Sequence, residues 1–509
     1  MRTLSSAFRP YAWAPSTEEI ARLAGVDPID VLRFDGNVAA APPSSARPGT
    51  VAGALSRINA YAHGGHVALM NAIAEYAGVG RENVALGAGA DDLILLCARA
   101  FSGPGDTVAV ADSPTYPLFE IAARLAGAEV GVDGAAVTFC CRPNNPTGAF
   151  DPLPAARPLV VDEAYFEYAG ETAAGLIEDG VVVIRTFSKA FGLAGARVGY
   201  ALADAETAAE LNARQAPMPV SSVSAELATA ALADPPDVAP VLAERDRMAR
   251  ALRSLGLGPL PSRGNFLFVP VENGPELAEA LLRRGLAVRP FANGIRISML
   301  DPADDDVLVD ALARLLDRPP PVAPPGGRRA RVLRATAETR IRVRLALDGA
   351  GRVRVATGAG LYDHLLEQLA FHAGLDLTLE GVGDLETGPH HTAEDSALAF
   401  GDALDRALGD RRGIARYGDA TVPMDDALAR AAVDLGGRPA AEITLELDPG
   451  LAEHMLSSLA QRARLAVHVQ ASGRDEHHVA EAAFKAVGRA LRAAKRREGV
   501  AVPSTKGIV

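Results

Sequence analysis

Polar and apolar residues alternate strictly over Arg340-Ile341-Arg342-Val343-Arg344-Leu345, the period of a strand with one buried face. Asp348-Gly349-Ala350-Gly351 supplies turn residues before Arg352-Val353-Arg354-Val355, so a hairpin is expected there. The first 318 residues read differently. Helical stretches alternate with short apolar runs such as Leu159-Val160-Val161-Asp162 and Val181-Val182-Val183-Ile184-Arg185. Such runs are buried on both faces, the pattern of a mostly parallel sheet in an α/β fold. Between the two regimes, residues 319–329 read PPPVAPPGGRR. Proline removes backbone donors and glycine adds chain entropy, so neither helix nor central strand is expected there. The pattern divides the chain into a domain over 1–318, a Pro/Gly-rich linker over 319–331 and a second domain over 332–509.

Composition narrows the function. A chain of 509 residues suits two or three domains. A formal charge of -12 argues against nucleic-acid binding, which needs a basic surface. Three cysteines, Cys97, Cys140 and Cys141, make neither a disulfide framework nor a four-thiolate zinc site. No stretch approaches the ~20 apolar residues of a membrane span, and the N-terminus reads as neither signal peptide nor anchor. A cytoplasmic protein is expected. Of ten histidines, only His63 and His66 precede residue 364. That asymmetry points to different chemistry in the two domains.

In the first domain four features follow in order. Asn144-Asn145-Pro146-Thr147-Gly148 forms a turn, Asp162-Glu163-Ala164-Tyr165 ends a Val-rich strand, Thr186-Phe187-Ser188-Lys189 follows another, and Arg197 comes eight residues later. An amine for a Schiff base, a carboxylate for a pyridinium nitrogen, and hydroxyl and guanidinium donors for a phosphate are what carbonyl-to-amine exchange needs. All four lie near C-terminal strand ends, where α/β folds place ligands.

With Asn293-Gly294-Ile295-Arg296, these motifs make residues 1–318 resemble a fold-type I pyridoxal-phosphate aminotransferase, closest to the histidinol-phosphate aminotransferases. The resemblance implies that Lys189 holds the cofactor and shuttles the proton, while Asp162 faces the ring nitrogen. Asn145 and Tyr165 would bond the ring oxygen and Tyr116 would stack on the ring. Thr186, Arg197 and the amides of Ala90 and Asp91 at a helix start would hold the phosphate. Tyr61 would reach the phosphate from a partner subunit, implying a dimer, and Arg296 would bind substrate, most naturally the carboxylate of the amino donor. Two departures stand out. The family's Asn-Glu-Asn-Pro segment is reduced to Asp35-Gly36-Asn37-Val38, and only thirteen residues separate Gly148 from Asp162, the least a parallel crossover needs.

In the second domain, HHTAEDSALAFGDALDRA at 390–407 matches HHVAEAAFKAVGRALRAA at 477–494 at nine of eighteen positions without a gap. The repeat points to a duplicated half-domain. Residues i and i+4 share a helix face, so His390 pairs with Glu394 and His477 with Glu481. His391 and His478 point about 100° away, offering ligands in a second direction. Imidazole with carboxylate favours Mn, Fe, Zn or Ni over Mg or Ca.

Together with Thr336-Ala337-Glu338-Thr339, the Thr357–His364 segment, Gly413–Gly418, Pro423–Asp426, Asp434–Arg438 and Pro503–Gly507, these motifs resemble imidazoleglycerol-phosphate dehydratase. The resemblance implies an α+β domain with two Mn2+ per site. One ion would be held by His364, His391, His477 and Glu481, the other by His390, Glu394, His454 and His478, with His372 and His468 structural. Arg416, Arg438, Ser504, Thr505 and Lys506 would hold the substrate phosphate. Glu338 is the expected proton-transfer carboxylate and a substrate contact, and Glu481 is a second candidate. Relatives assemble into large shells with active sites between subunits.

The two resemblances fit each other. Dehydrating imidazoleglycerol phosphate gives imidazole acetol phosphate, and transaminating that ketone with glutamate gives L-histidinol phosphate. The expectation is a bifunctional, homo-oligomeric enzyme of histidine biosynthesis acting on phosphorylated imidazoles, without nucleic-acid or membrane partners. The alternatives are a dehydratase fused to an aminotransferase or decarboxylase of other specificity, or to a silent scaffold.

Overall fold

A computed structural model describes residues 10–501 apart from 12, 27, 40–42, 44–47, 57, 62–64, 320–327, 350 and 449. Most of the expected linker lies outside the described residues, as do Ser504, Thr505 and Lys506. The chain divides into two compact units, residues 1–321 and 322–509.

The first unit is built on seven strands: β1 (Val84–Gly87), β2 (Thr107–Val110), β3 (Glu129–Val130), β4 (Val137–Cys141), β5 (Leu159–Asp162), β6 (Val181–Thr186) and β7 (Gly199–Leu202). Their order is β1-β7-β6-β5-β4-β2-β3. Only β7 runs antiparallel to its neighbours. The continuous apolar runs have a direct reason. Val161 and Val183 belong to one core, and Val160, Val182 and Ile184 to another, because successive strand residues face opposite sides and both sides are covered. β4 and β5 are parallel neighbours, yet the segment between them contains no helix; the short Gly148–Asp162 spacing crosses over as irregular chain. A smaller antiparallel sheet joins β8 (Phe266–Pro270), β9 (Arg289–Phe291) and β10 (Gly294–Ser298) in the order β9-β10-β8.

The second unit contains two four-stranded sheets. The first holds β11 (Arg329–Ala335), β12 (Thr339–Ala346), β13 (Val353–Ala356) and β14 (Asp376–Gly383), ordered β11-β12-β14-β13. The second holds β15 (Tyr417–Met424), β16 (Ala427–Asp434), β17 (Ala440–Leu445) and β18 (Ala466–Ser472), ordered β15-β16-β18-β17. The expected hairpin after residue 345 does not form. β13 pairs with β14 in parallel, and β14 lies between it and β12. The helix Leu361–His372 connects β13 to β14, as a parallel connection requires. Residues from both sheets and from the helices Leu361–His372, His390–Leu408, Ala452–Ala463 and Glu476–Ala494 share one core. Among the described residues no helix is long and apolar enough to cross a membrane.

Candidate functional sites

Adjacent parallel strands deliver the first site. β4 leads into Asn145, β5 ends on Asp162, and β6 ends on Thr186 just before Lys189, so three C-terminal ends converge on a cavity of about 500 Å³. Its lining includes Ala90, Asp91, Tyr116, Asn145, Asp162, Tyr165, Thr186, Lys189, Arg197 and Arg296. Burial, then the neighbouring Arg296, brings the Lys189 amine down to about 8. Burial raises the Asp162 carboxyl to about 7, against the Ala164 N–H that bonds Oδ1 at 3.0 Å. Among the described residues its Oδ2 receives only the Cys141 thiol, at 3.8 Å. A buried carboxylate with one weakly used oxygen suits a cationic ring N–H.

The end of the cavity around Arg197 is equally built. Ala90 starts the helix Ala90–Phe101 behind Gly89 at φ 90°. That left-handed φ favours glycine, and the Arg197 guanidinium lies 2.6 Å from where a Cβ would sit. Arg197 also bonds Asp91 at 3.3 Å and Ser188 at 3.4 Å, and Tyr116 donates to Asp91 at 2.9 Å. These donors fit pyridoxal phosphate. Tyr61 is 76% exposed and lines a separate groove with His66 and Glu226; a single chain does not bring it to this cavity.

Three residues outside the expected set shape the site. Asn37 is buried and donates to the Tyr165 hydroxyl at 3.0 Å. Ser298 holds it, receiving the Asn37 N–H at 2.8 Å. Arg289 faces Arg296 across β9 and β10. The two-residue turn Ala292-Asn293 joins the strands and brings the two arginines opposite each other.

In the second unit, two clusters form. His364, His477 and Glu481 make one, and His390, Glu394 and His454 the other. Glu481 Oε2 lies 3.1 Å from His477 Nε2 and 3.4 Å from His364 Nε2. Glu394 lies 3.6 Å from His390 and 3.3 Å from His454. Both i, i+4 pairs therefore share a face. Burial pushes the Glu481 carboxyl up, but the Lys485 ammonium and His364 leave it below the usual value.

His391 and His478 join neither cluster among the described residues. A single chain thus brings together three of the four residues expected in each group. The ring of His391 turns to Asp384 at 3.0 Å and to Glu338 at 3.6 Å, and His478 turns to Asp426 at 2.6 Å, as the 100° step between adjacent helical residues requires. Glu338 is half exposed. Arg416 is held by Asp434 at 2.7 and 3.1 Å, and Arg438 is exposed. His372 is partly buried and His468 lies on an exposed sheet face.

Known proteins fall on the same division. The family model of aminotransferase class I and II matches residues 32–133 and 132–312, and that of imidazoleglycerol-phosphate dehydratase matches 357–491. The imidazoleglycerol-phosphate dehydratase of Salinispora tropica is 50% identical over 202 residues, covering 36% of this chain and 99% of that protein. Its counterpart from Acidothermus cellulolyticus is 49% identical over 197 residues, covering 37% and 96%. Among solved structures, histidinol-phosphate aminotransferase from Sinorhizobium meliloti, in complex with pyridoxal-5'-phosphate, is 27% identical with a TM-score of 0.54, covering 62% of this chain and 99% of that one. L-threonine-O-3-phosphate decarboxylase from Porphyromonas gingivalis, 20% identical with a TM-score of 0.51 over 57% of this chain and 100% of that one, shares the fold. The chain thus belongs to two families in succession, the class I and II aminotransferases through residue 312 and the imidazoleglycerol-phosphate dehydratases in its C-terminal part.

Proposed function

We propose that this chain is a bifunctional, cytoplasmic enzyme catalysing consecutive steps of histidine biosynthesis. Its C-terminal unit dehydrates imidazoleglycerol phosphate to imidazole acetol phosphate. Its N-terminal unit transaminates that ketone with glutamate to L-histidinol phosphate. The observation that carries the reading is the pairing itself: one chain holds a lysine site suited to amine exchange and two histidine–carboxylate clusters suited to an imidazole substrate.

In the C-terminal unit the clusters suit two divalent ions, with manganese our choice. His364, His477 and Glu481 would hold one, His390, Glu394 and His454 the other, with His391 and His478 arriving from neighbouring copies. The ions would supply Lewis acidity at the imidazole nitrogens. Both Glu481 oxygens are engaged, one by histidines and one by Lys485. That favours Glu338, half exposed beside His391, as the base for the C2 proton while hydroxide leaves C3. Arg416, Arg438, Ser504, Thr505 and Lys506 are the proposed phosphate contacts.

In the N-terminal unit pyridoxal phosphate would supply a ring that withdraws electrons from the substrate's α-carbon. Lys189, with its depressed pKa, is suited to bind the aldehyde and to move a proton. Asp162 Oδ2 would face the ring nitrogen, and Asn145 and Tyr165 the ring oxygen. Tyr116 would stack on the ring. Ala90, Asp91, Thr186 and Arg197 would hold the phosphate, with Tyr61 reaching in from a partner copy. Arg289 and Arg296, opposed in register, would bind the substrate's anionic groups.

The test is product analysis of the intact protein with imidazoleglycerol phosphate, glutamate, pyridoxal phosphate and manganese in one pot. Histidinol phosphate is expected. Accumulation of the ketone alone would sink the aminotransferase half, and unchanged starting material the dehydratase half.

A further inference from the structure

The two cation clusters occupy matching places in segments that align without a gap, yet their carboxylates are used differently. Glu394 sends one oxygen to His390 and the other to His454. Glu481 sends a single oxygen to both His364 and His477, while its second oxygen receives the Lys485 ammonium at 2.7 Å. Lys485 is itself mostly buried and also touches the Met424 sulfur at 3.6 Å. The aligned residue beside Glu394 is Leu398. Among the described residues, no lysine or arginine lies against Glu394.

Resting on the reading of these clusters as divalent-cation sites, we infer that they are unequal, and that Lys485 is the positioning residue that makes the Glu481 site the weaker one. Two effects oppose each other. Glu481 is the more buried carboxylate, its side chain 8% exposed against 34% for Glu394. Burial strengthens any attraction between unlike charges. The quantity strengthened, however, is net charge, and the Glu481–Lys485 pair is neutral. The ammonium also repels a bound dication and withholds one oxygen. At the other site Glu394 keeps its full charge and both oxygens. With Lys485 one-fifth exposed, screening moderates the gap to about tenfold or somewhat more.

The full-length protein, stripped of metal, is titrated with Mn2+ while free ion is followed by its electron paramagnetic resonance signal. Two equal classes of site are expected, separated by at least about tenfold. Glu394→Gln should remove the tighter class and Glu481→Gln the weaker. Lys485→Leu should tighten the weak class until the two merge, and Lys485→Arg should keep them apart. Leu398→Lys should loosen the tight class. A single class in the unaltered protein, or a gap that survives Lys485→Leu, overturns the inequality while the sites stand. Absence of tight manganese binding altogether overturns both.

Discussion

Nδ1 of His478 lies 2.6 Å from Oδ1 of Asp426, and His391 repeats the arrangement with Asp384 at 3.0 Å. Each hydrogen bond raises the histidine above its ordinary pKa, and Asp426 falls to about 2. A carboxylate on one ring nitrogen fixes the tautomer and leaves Nε2 as the lone-pair donor, the usual arrangement behind a metal ligand. Replacing Asp426 with alanine should therefore weaken manganese binding by about 10–100-fold without unfolding the unit. Competition against a chelator of known affinity is the measurement. Unchanged affinity would reduce the pair to surface electrostatics.

What could be read from sequence follows from how local each feature is. Strand ends carrying Asp162 and Lys189 were legible because the apolar runs and the residues that follow them are contiguous. The i, i+4 pairs at His390 and His477 were legible because helix geometry fixes them. Strand partnership was not. Alternation over residues 340–345 shows that one face is buried but says nothing about which strand lies alongside, so β13 was assigned to the wrong neighbour. The destination of His391 was equally hidden, since Asp384 is seven residues away across a separate turn.

Separate donor sets should make the two activities separable. Lys189→Ala is expected to abolish transamination and leave dehydration largely intact, and His390→Ala to do the reverse. Both variants are assayed for both reactions, with circular dichroism to confirm folding. Loss of both activities from either change in a folded protein would contradict independent sites.

Lys189 is the only lysine among residues 1–321, so a lysine–aldehyde adduct within this segment has one address. Because burial and then Arg296 bring its pKa to about 8, the reactive neutral amine should appear as pH rises through about 8, well below the ordinary lysine value near 10.4. Removing the cation with Arg296→Gln should move that midpoint upward. The rate of pyridoxal-phosphate trapping by borohydride, read at this residue by mass spectrometry, checks both. A midpoint near 10 in the unaltered chain would count against the buried amine.

A second buried acid governs stability. Asp305 on the helix Pro302–Leu315 and Glu244 on the helix Ala239–Ser254 are almost fully buried. Burial first, and Glu244 second, push the Asp305 carboxyl well above its usual value. A folded-state pKa above the unfolded one near 3.9 means that its stabilising contribution is complete at low pH and lost as pH rises through the folded value. The loss amounts to at most ~1.4 kcal/mol per pH unit. Asp305→Asn keeps a donor toward Glu244 and removes the titration. Urea midpoints from pH 5 to 8 should decline less steeply in the variant; parallel declines would rule the pair out as the cause.

Assembly follows from what one chain lacks in each cluster. His364, His477 and Glu481 give three donors, as do His390, Glu394 and His454, while His391 and His478 face away from both. Among the described residues none completes either group, so a fourth protein ligand is expected from another copy. Neutral imidazoles and carboxylates converging from different chains gain binding energy only with the ion present, so the contact between dehydratase units should depend on metal. If Tyr61, exposed and outside its own cavity, serves a partner's site as proposed, a second, metal-independent pairing between aminotransferase units is expected. Two symmetric interfaces on one chain generate a particle much larger than a dimer when they are geometrically compatible. Light scattering should show that large particle with manganese and a much smaller species after chelation. His391→Ala should mimic chelation even with manganese present. A dimer unchanged by manganese, chelator and substitution alike would mean that the fused chain has lost the contact between dehydratase units.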